Sequence, residues 1–149
     1  MKNRITELLG AKYPIVARFG GVSPQAAARS FAALIAIVCL FQLALAAGAP
    51  WGEFAMGGAY PGVFPPSMRV AAVAQAAVLA GFALIVLIRA GLALPRWRRA
   101  AGWGVWTAVA LMAISVVLNL ITPSGMERLI WAPVTVLLFL LSLRVALSR

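Results

Sequence analysis

Apolar residues fall in four long runs along this chain, at about 31–49, 70–88, 101–121 and 129–147, and none has a charge at its centre. At about 1.5 Å of rise per residue, each run is long enough to cross roughly 30 Å of hydrocarbon. The runs do not alternate apolar with polar residues, as barrel strands would. In lipid, a helix is the open-chain conformation that satisfies its own backbone polar groups. The pattern therefore predicts an all-α integral membrane protein, a bundle of four transmembrane helices joined up-down-up-down by short connections. Residues 30–149 would form this domain, preceded by a basic segment at 1–29.

The polar residues between the runs orient the bundle. Lys2, Arg4, Lys12, Arg18 and Arg29 precede the first run, and Arg89, Arg96, Arg98 and Arg99 lie between the second and third. The first loop has only Arg69 at its far end and the third loop only Arg128, while Arg144 and Arg149 close the chain. Positive charge in short flanks marks the cytoplasmic side, so both termini are expected there, with the first and third loops outside. The first run, with its basic flank and the small residues at 44–49, also has the make-up of a secretory signal with a cleavage site. The long segment before it favours a retained helix. Within that segment Ile5, Leu8 and Leu9 recur at helical spacing beside Lys2, Arg4, Glu7 and Lys12, which fits a short interfacial helix or a basic tail equally.

Small residues suggest how the helices meet. Ala72, Ala76 and Ala80, then Ala77 and Gly81, recur four apart on the second run, and Ala32 and Ala36 on the first. Such stripes let helix backbones approach closely in lipid. Gly48 and Gly52 share the spacing, but Pro50 between them speaks against a helix there. Trp51, Trp97, Trp103 and Trp131 fall near the ends of runs, as membrane-interface anchors do.

Composition narrows the chemistry. Of 149 residues 64% are hydrophobic and 11% charged, too few charges for a water-soluble surface, where about a quarter is usual. A net charge of +10 would suggest nucleic acid in a soluble protein, but here the charges flank apolar runs, so the partners expected are membrane lipids and no nucleic acid. With no His and no Asp, His-ligated haem, zinc hydrolysis and a Ser-His-Asp triad are excluded. The lone Cys39 cannot form an internal disulfide and sits in an apolar run. No metal site or cofactor is expected.

The remaining polar side chains are layered along the membrane normal. In the orientation above, Gln42, Gln75 and Asn119 fall in the outer halves of their helices, with Ser115 one turn deeper than Asn119 on the same face. Thr135 lies toward the outer end of the fourth run. The long first loop, 48–69, is rich in Gly, Pro and aromatics and needs somewhere to bury its apolar residues, which suggests a shaped cap. Glu53 and Glu127 also lie on this side, beside Arg69 and Arg128. A bland account has each Glu paired with an Arg while the amides bond between helices. The functional account is a pocket under the first loop, apolar with a few convergent polar groups. Its candidate ligand-binding residues are Gln42, Trp51, Glu53, Arg69, Gln75, Ser115, Asn119, Glu127, Arg128 and Trp131.

Residues 48–53 (Gly-Ala-Pro-Trp-Gly-Glu), then Gly57-Gly58, Pro65 and Arg69, with Asn119, Pro123, Glu127-Arg128 and Pro133 later, resemble small four-helix integral membrane proteins of bacteria over roughly residues 30–147. The resemblance implies the bundle and brings no activity with it. The preference for Ala, and for Arg over Lys, suits a high-GC bacterium, so the expected location is a bacterial cytoplasmic (inner) membrane. Two functions remain in view. One is a non-enzymatic protein that binds a lipid-like or small apolar ligand, or a partner membrane protein, through its outer half. The other is a membrane-embedded enzyme moving a proton or isomerising a lipid with Glu53 or Glu127. A small transporter ranks below both, because no helix centre carries an acid to couple protons.

Overall fold

The computed structural model describes residues 21–148, so the candidate interfacial helix at 1–12 lies outside the described residues. Four long helices make up the fold: α1, Pro24–Ala47; α2, Pro66–Arg89; α3, Arg98–Ile121; and α4, Gly125–Ala146. Three short 3-10 turns sit between them and no strand is present among the described residues. All four helices are long and apolar enough to span a membrane. With 24 residues, α1, α2 and α3 are each about 36 Å long. This is a four-helix integral membrane protein.

Every helix begins earlier than its apolar run, and at α1, α2 and α4 a capping serine or a first-turn proline marks the start. Ser23 accepts a hydrogen bond from the Ala26 N–H at 3.1 Å, with Pro24 in the first turn, where its missing N–H costs nothing. Pro66 opens α2 in the same way. Ser124 caps α4 by accepting from the Glu127 N–H at 3.2 Å. At its other end α1 stops on Gly48, whose φ of 103° is left-handed backbone that a glycine adopts without strain. The Arg69 guanidinium lies over Gly48, where an added Cβ would meet Nη2 at 3.2 Å. Gly48 and Gly52 both lie beyond α1, as Pro50 requires.

Each helix packs on two neighbours: α1 on α2 and α4, and α3 on the same two. The main core draws on all four helices and includes Phe31, Ile35, Val86, Val105, Ala108, Met112 and Val145. These residues lie toward the end that carries Arg89, Arg98 and Arg99, called here the arginine-rich end. There the Arg89 guanidinium donates to the Ser148 carbonyl, tying the end of α2 to the end of α4. Gly104 lets α3 approach α2 closely, since a Cβ in its place would sit 3.1 Å from Ile85 Cγ2.

Of the expected small-residue stripes only that of Ala72, Ala76 and Ala80 is buried, and it only in part. Ala72 and Ala76 face inward, and the Cys39 thiol of α1 donates to the Ala76 carbonyl at 3.4 Å. Ala80, Ala77, Gly81 and Ala36 are exposed. On α1 the packing face is instead Ala27, Ala28, Phe31 and Ile35, with Phe31 and Ile35 one residue before Ala32 and Ala36 and so rotated about the helix axis from the face those imply. Both faces lay in apolar sequence, and the larger side chains give more dispersion contact.

Candidate functional site

The first and third loops meet at the opposite end, called the loop end. The first loop is closed on itself: Gly52 N–H donates to the Gly62 carbonyl at 2.9 Å. Only glycine fits at position 52, because a Cβ there would lie 1.9 Å from the Tyr60 carbonyl oxygen. Met56, Gly57 and Gly58 then follow with φ of 56°, 71° and 75°. Three left-handed residues in a row reverse the chain, and Met56 carries the strain that its glycine neighbours escape. This reversal aims the Gly57 N–H at α4.

Glu127 receives it. Its Oε2 accepts from Gly57 N–H at 2.7 Å and from the Thr122 hydroxyl at 2.9 Å. Residues 124–127 read Ser-Gly-Met-Glu, the spacing of a capping box, in which the Glu would turn back to the cap residue. Here the serine caps the helix while the carboxylate reaches across to the first loop. Two further bonds hold the loop down: Trp131 Nε1–H to the Phe54 carbonyl at 2.8 Å, and the Ser124 hydroxyl to the Glu53 carbonyl at 3.1 Å. Phe41 of α1 packs against Trp131 with ring centres 4.8 Å apart and stacks on Trp51 at 6.3 Å.

Under this roof lies a cavity of about 580 Å³, within the usual range of small-molecule sites. Its floor is Ile35, Leu79, Met112 and Leu138, and its roof includes Phe54, Met56, Gly57 and Phe64. On one side it reaches the surface between α2 and α3, where Ala71, Gln75, Leu118 and Ile121 both line it and are exposed. That opening is at the level of the helices, so it faces membrane and not the aqueous end.

Six of the ten candidate residues come together around this space: Gln42, Gln75, Ser115, Asn119, Glu127 and Trp131. Gln42 is only 7% exposed, yet its side-chain amide bonds to no described residue; the amide is not sealed in protein but open to the cavity. Asn119 bonds within its own helix, Nδ2 to the Ser115 carbonyl at 2.8 Å, leaving its amide oxygen free of that contact. Hydrogen bonds between helices through the amides are thus not what holds the bundle. Thr135 also lines the cavity, but its hydroxyl is spent on the Trp131 and Ala132 carbonyls.

The other four candidates lie outside it. Trp51 and Glu53 are exposed on the outer surface of the roof. Arg69 gives its Nε–H to the Phe64 carbonyl at 2.9 Å, and Arg128 gives Nη2 to the Thr122 carbonyl at 2.6 Å. The expected Glu–Arg pairs are therefore replaced by Arg–carbonyl and Glu–amide bonds. The reason is local: carbonyls that a helix end or a loop leaves without a donor are nearer to each guanidinium than a carboxylate is. Residues that sequence reasoning left out of the site are Phe41, Phe54, Met56, Gly57, Thr122 and Thr135. Of these, the Gly57-Gly58 pair carried the signal of a left-handed turn, and Thr135 that of a polar residue in the outer layer of the fourth run.

Among the described residues, no three His, Cys, Asp or Glu side chains gather as a metal site would need. Set against protein-family models, curated proteins and solved structures, the chain has no match. The cavity's own chemistry is what remains: aromatic and aliphatic walls, neutral amides at mid-depth, and one carboxylate under the roof.

Proposed function

We propose that this four-helix membrane protein sits in a bacterial cytoplasmic membrane with both termini inside, and that it binds a small, largely apolar ligand in the cavity at its outer end. The distribution of arginines supports that orientation, since Arg89, Arg96, Arg98 and Arg99 all belong to the end away from the cavity. The observation that carries the binding reading is Gln42. Although the residue is 93% buried, its amide has no partner among the described residues and opens into the cavity, where the polar group of a bound ligand can reach it. The lateral opening between α2 and α3 gives a ligand dissolved in the membrane a direct way in.

Proton-transfer chemistry in this cavity would rest on Glu127 alone, because Glu53 lies on the outside of the roof. Binding without turnover needs no second group and accounts for the unpartnered amide as well. A partner membrane protein would meet the same end, at the exposed Leu118 and Ile121.

The test is native mass spectrometry of the protein released from its membrane, comparing wild type with Ser115→Leu, which fills the cavity with hydrocarbon. The wild type should retain a small adduct that Ser115→Leu lacks. An adduct held equally by both, or by neither, would refute binding at this site.

A further inference from the structure

The cavity's charge and shape say which kind of ligand it takes. Of the residues that line it, one bears a formal charge, Glu127, and none is Lys or Arg. The two arginines nearest in sequence to the roof are turned to carbonyls, Arg69 to Phe64 and Arg128 to Thr122. The negative charge is therefore not neutralised by a cation inside the site. Of the carboxylate's two oxygens, Oε2 holds the Gly57 N–H and the Thr122 hydroxyl, which leaves Oε1 free to take another donor.

Aromatic side chains line the same cavity. Trp131 is one helical turn below Glu127, Phe41 packs on Trp131, and Phe54 is fixed over both by its bonded carbonyl. A carboxylate among aromatic rings attracts a cationic nitrogen twice, through charge and through the ring quadrupole. An anionic head would instead meet an unscreened like charge. Below this point the walls are apolar and include Met68 and Met112, whose flexible thioethers adapt to a chain.

Size narrows the class further. At about 30 Å³ for a water-sized unit, 580 Å³ holds roughly twenty such units, room for one alkyl chain with its head. Resting on the ligand-binding reading above, we infer that the ligand is a single-chain amphiphile with a cationic nitrogen head, an amine or a quaternary ammonium, seated at the Glu127 end of the cavity with its chain running down to Met112 and Leu138.

Equilibrium dialysis of full-length protein in phosphatidylcholine nanodiscs tests this, with labelled dodecyltrimethylammonium, dodecanol and dodecyl sulfate as probes. The wild type should prefer the ammonium over the alcohol and the alcohol over the sulfate. Glu127→Gln keeps an acceptor for Gly57 and Thr122 and should weaken the ammonium about tenfold, leaving the alcohol unchanged. Should Glu127→Gln prove unstable to heat, Glu127→Asp supplies the second reading, since it keeps the charge and should keep the preference for ammonium. Equal binding of ammonium and alcohol by the wild type, tightest binding of the sulfate, or an equal loss of both ammonium and alcohol in Glu127→Gln would overturn the charge assignment while leaving the cavity a binding site. Binding of no probe would overturn the site itself.

Discussion

At the arginine-rich end Phe31, Val86, Val105 and Val145, one from each helix, are fully buried against one another, whereas the core cluster at the loop end comprises Leu45, Ala55, Phe64 and Ala72 and takes nothing from α3 or α4. The difference lies in α3. Ala101, Gly104, Val105 and Ala108 let it close onto its neighbours in its first half. In its second half Ser115, Leu118 and Asn119 stand across a cavity from α1 and α2. In lipid there is little hydrophobic drive to close such a gap, and contact between well-fitted side chains is what holds helices together. One half of the molecule is therefore held by packing, and the other by a loop hydrogen-bonded across its top.

If that contrast is right, damage to the roof and damage to the packed core should look different. Gly52→Ala has the largest expected effect, about 5 kcal/mol or more, because its Cβ would overlap the Tyr60 carbonyl and the loop could not close. Detergent-unfolding curves should show that loss together with loss of ligand binding. Phe31→Ala should cost about 3–5 kcal/mol through the void it leaves in the packed half. Leu118→Ala, at the cavity mouth and 57% exposed, should change stability by less than about 0.5 kcal/mol. Equal costs for these two would erase the distinction between the halves.

Adding volume should sharpen it. Ala108→Leu in the packed half should cost about 1–3 kcal/mol by overpacking, measured as a lower midpoint of thermal unfolding. Ser115→Leu, pointing into open space, should leave the midpoint unchanged or raise it. Trp131→Phe keeps the ring against Phe41 but gives up the bond to the Phe54 carbonyl, a modest loss of about 0.5–1.5 kcal/mol. Faster amide exchange confined to the first loop would be its signature.

Much of this architecture could be read before the fold was known, and the rest depended on backbone geometry. Four uncharged runs sufficed for the helices, since length and apolarity are properties of composition. Helix starts came out four to seven residues early in α1, α2 and α4 because Ser23, Pro66 and Ser124 act through local geometry that hydropathy does not register. The vertical layering of Gln42, Gln75, Ser115 and Asn119 was visible from helix periodicity, and all four line one space. The pairing of the acids was not. Glu127 finds the Gly57 N–H only because three successive left-handed residues turn the loop toward it, and residue type alone does not specify such a turn. Arg69 and Arg128 likewise settle on carbonyls whose availability is decided by the path of the loops.

The most direct test of a ligand cavity in the loop half is photolabelling of the membrane-embedded protein with an alkyl alcohol carrying a diazirine at its chain end, followed by peptide mapping. The chain end should mark the cavity floor, Met112 and Leu138, above all other sites, and an excess of unlabelled alcohol should abolish it. Label spread evenly over the lipid-facing residues Ile37, Leu40 and Val73, with none on Met112 or Leu138, would contradict the account.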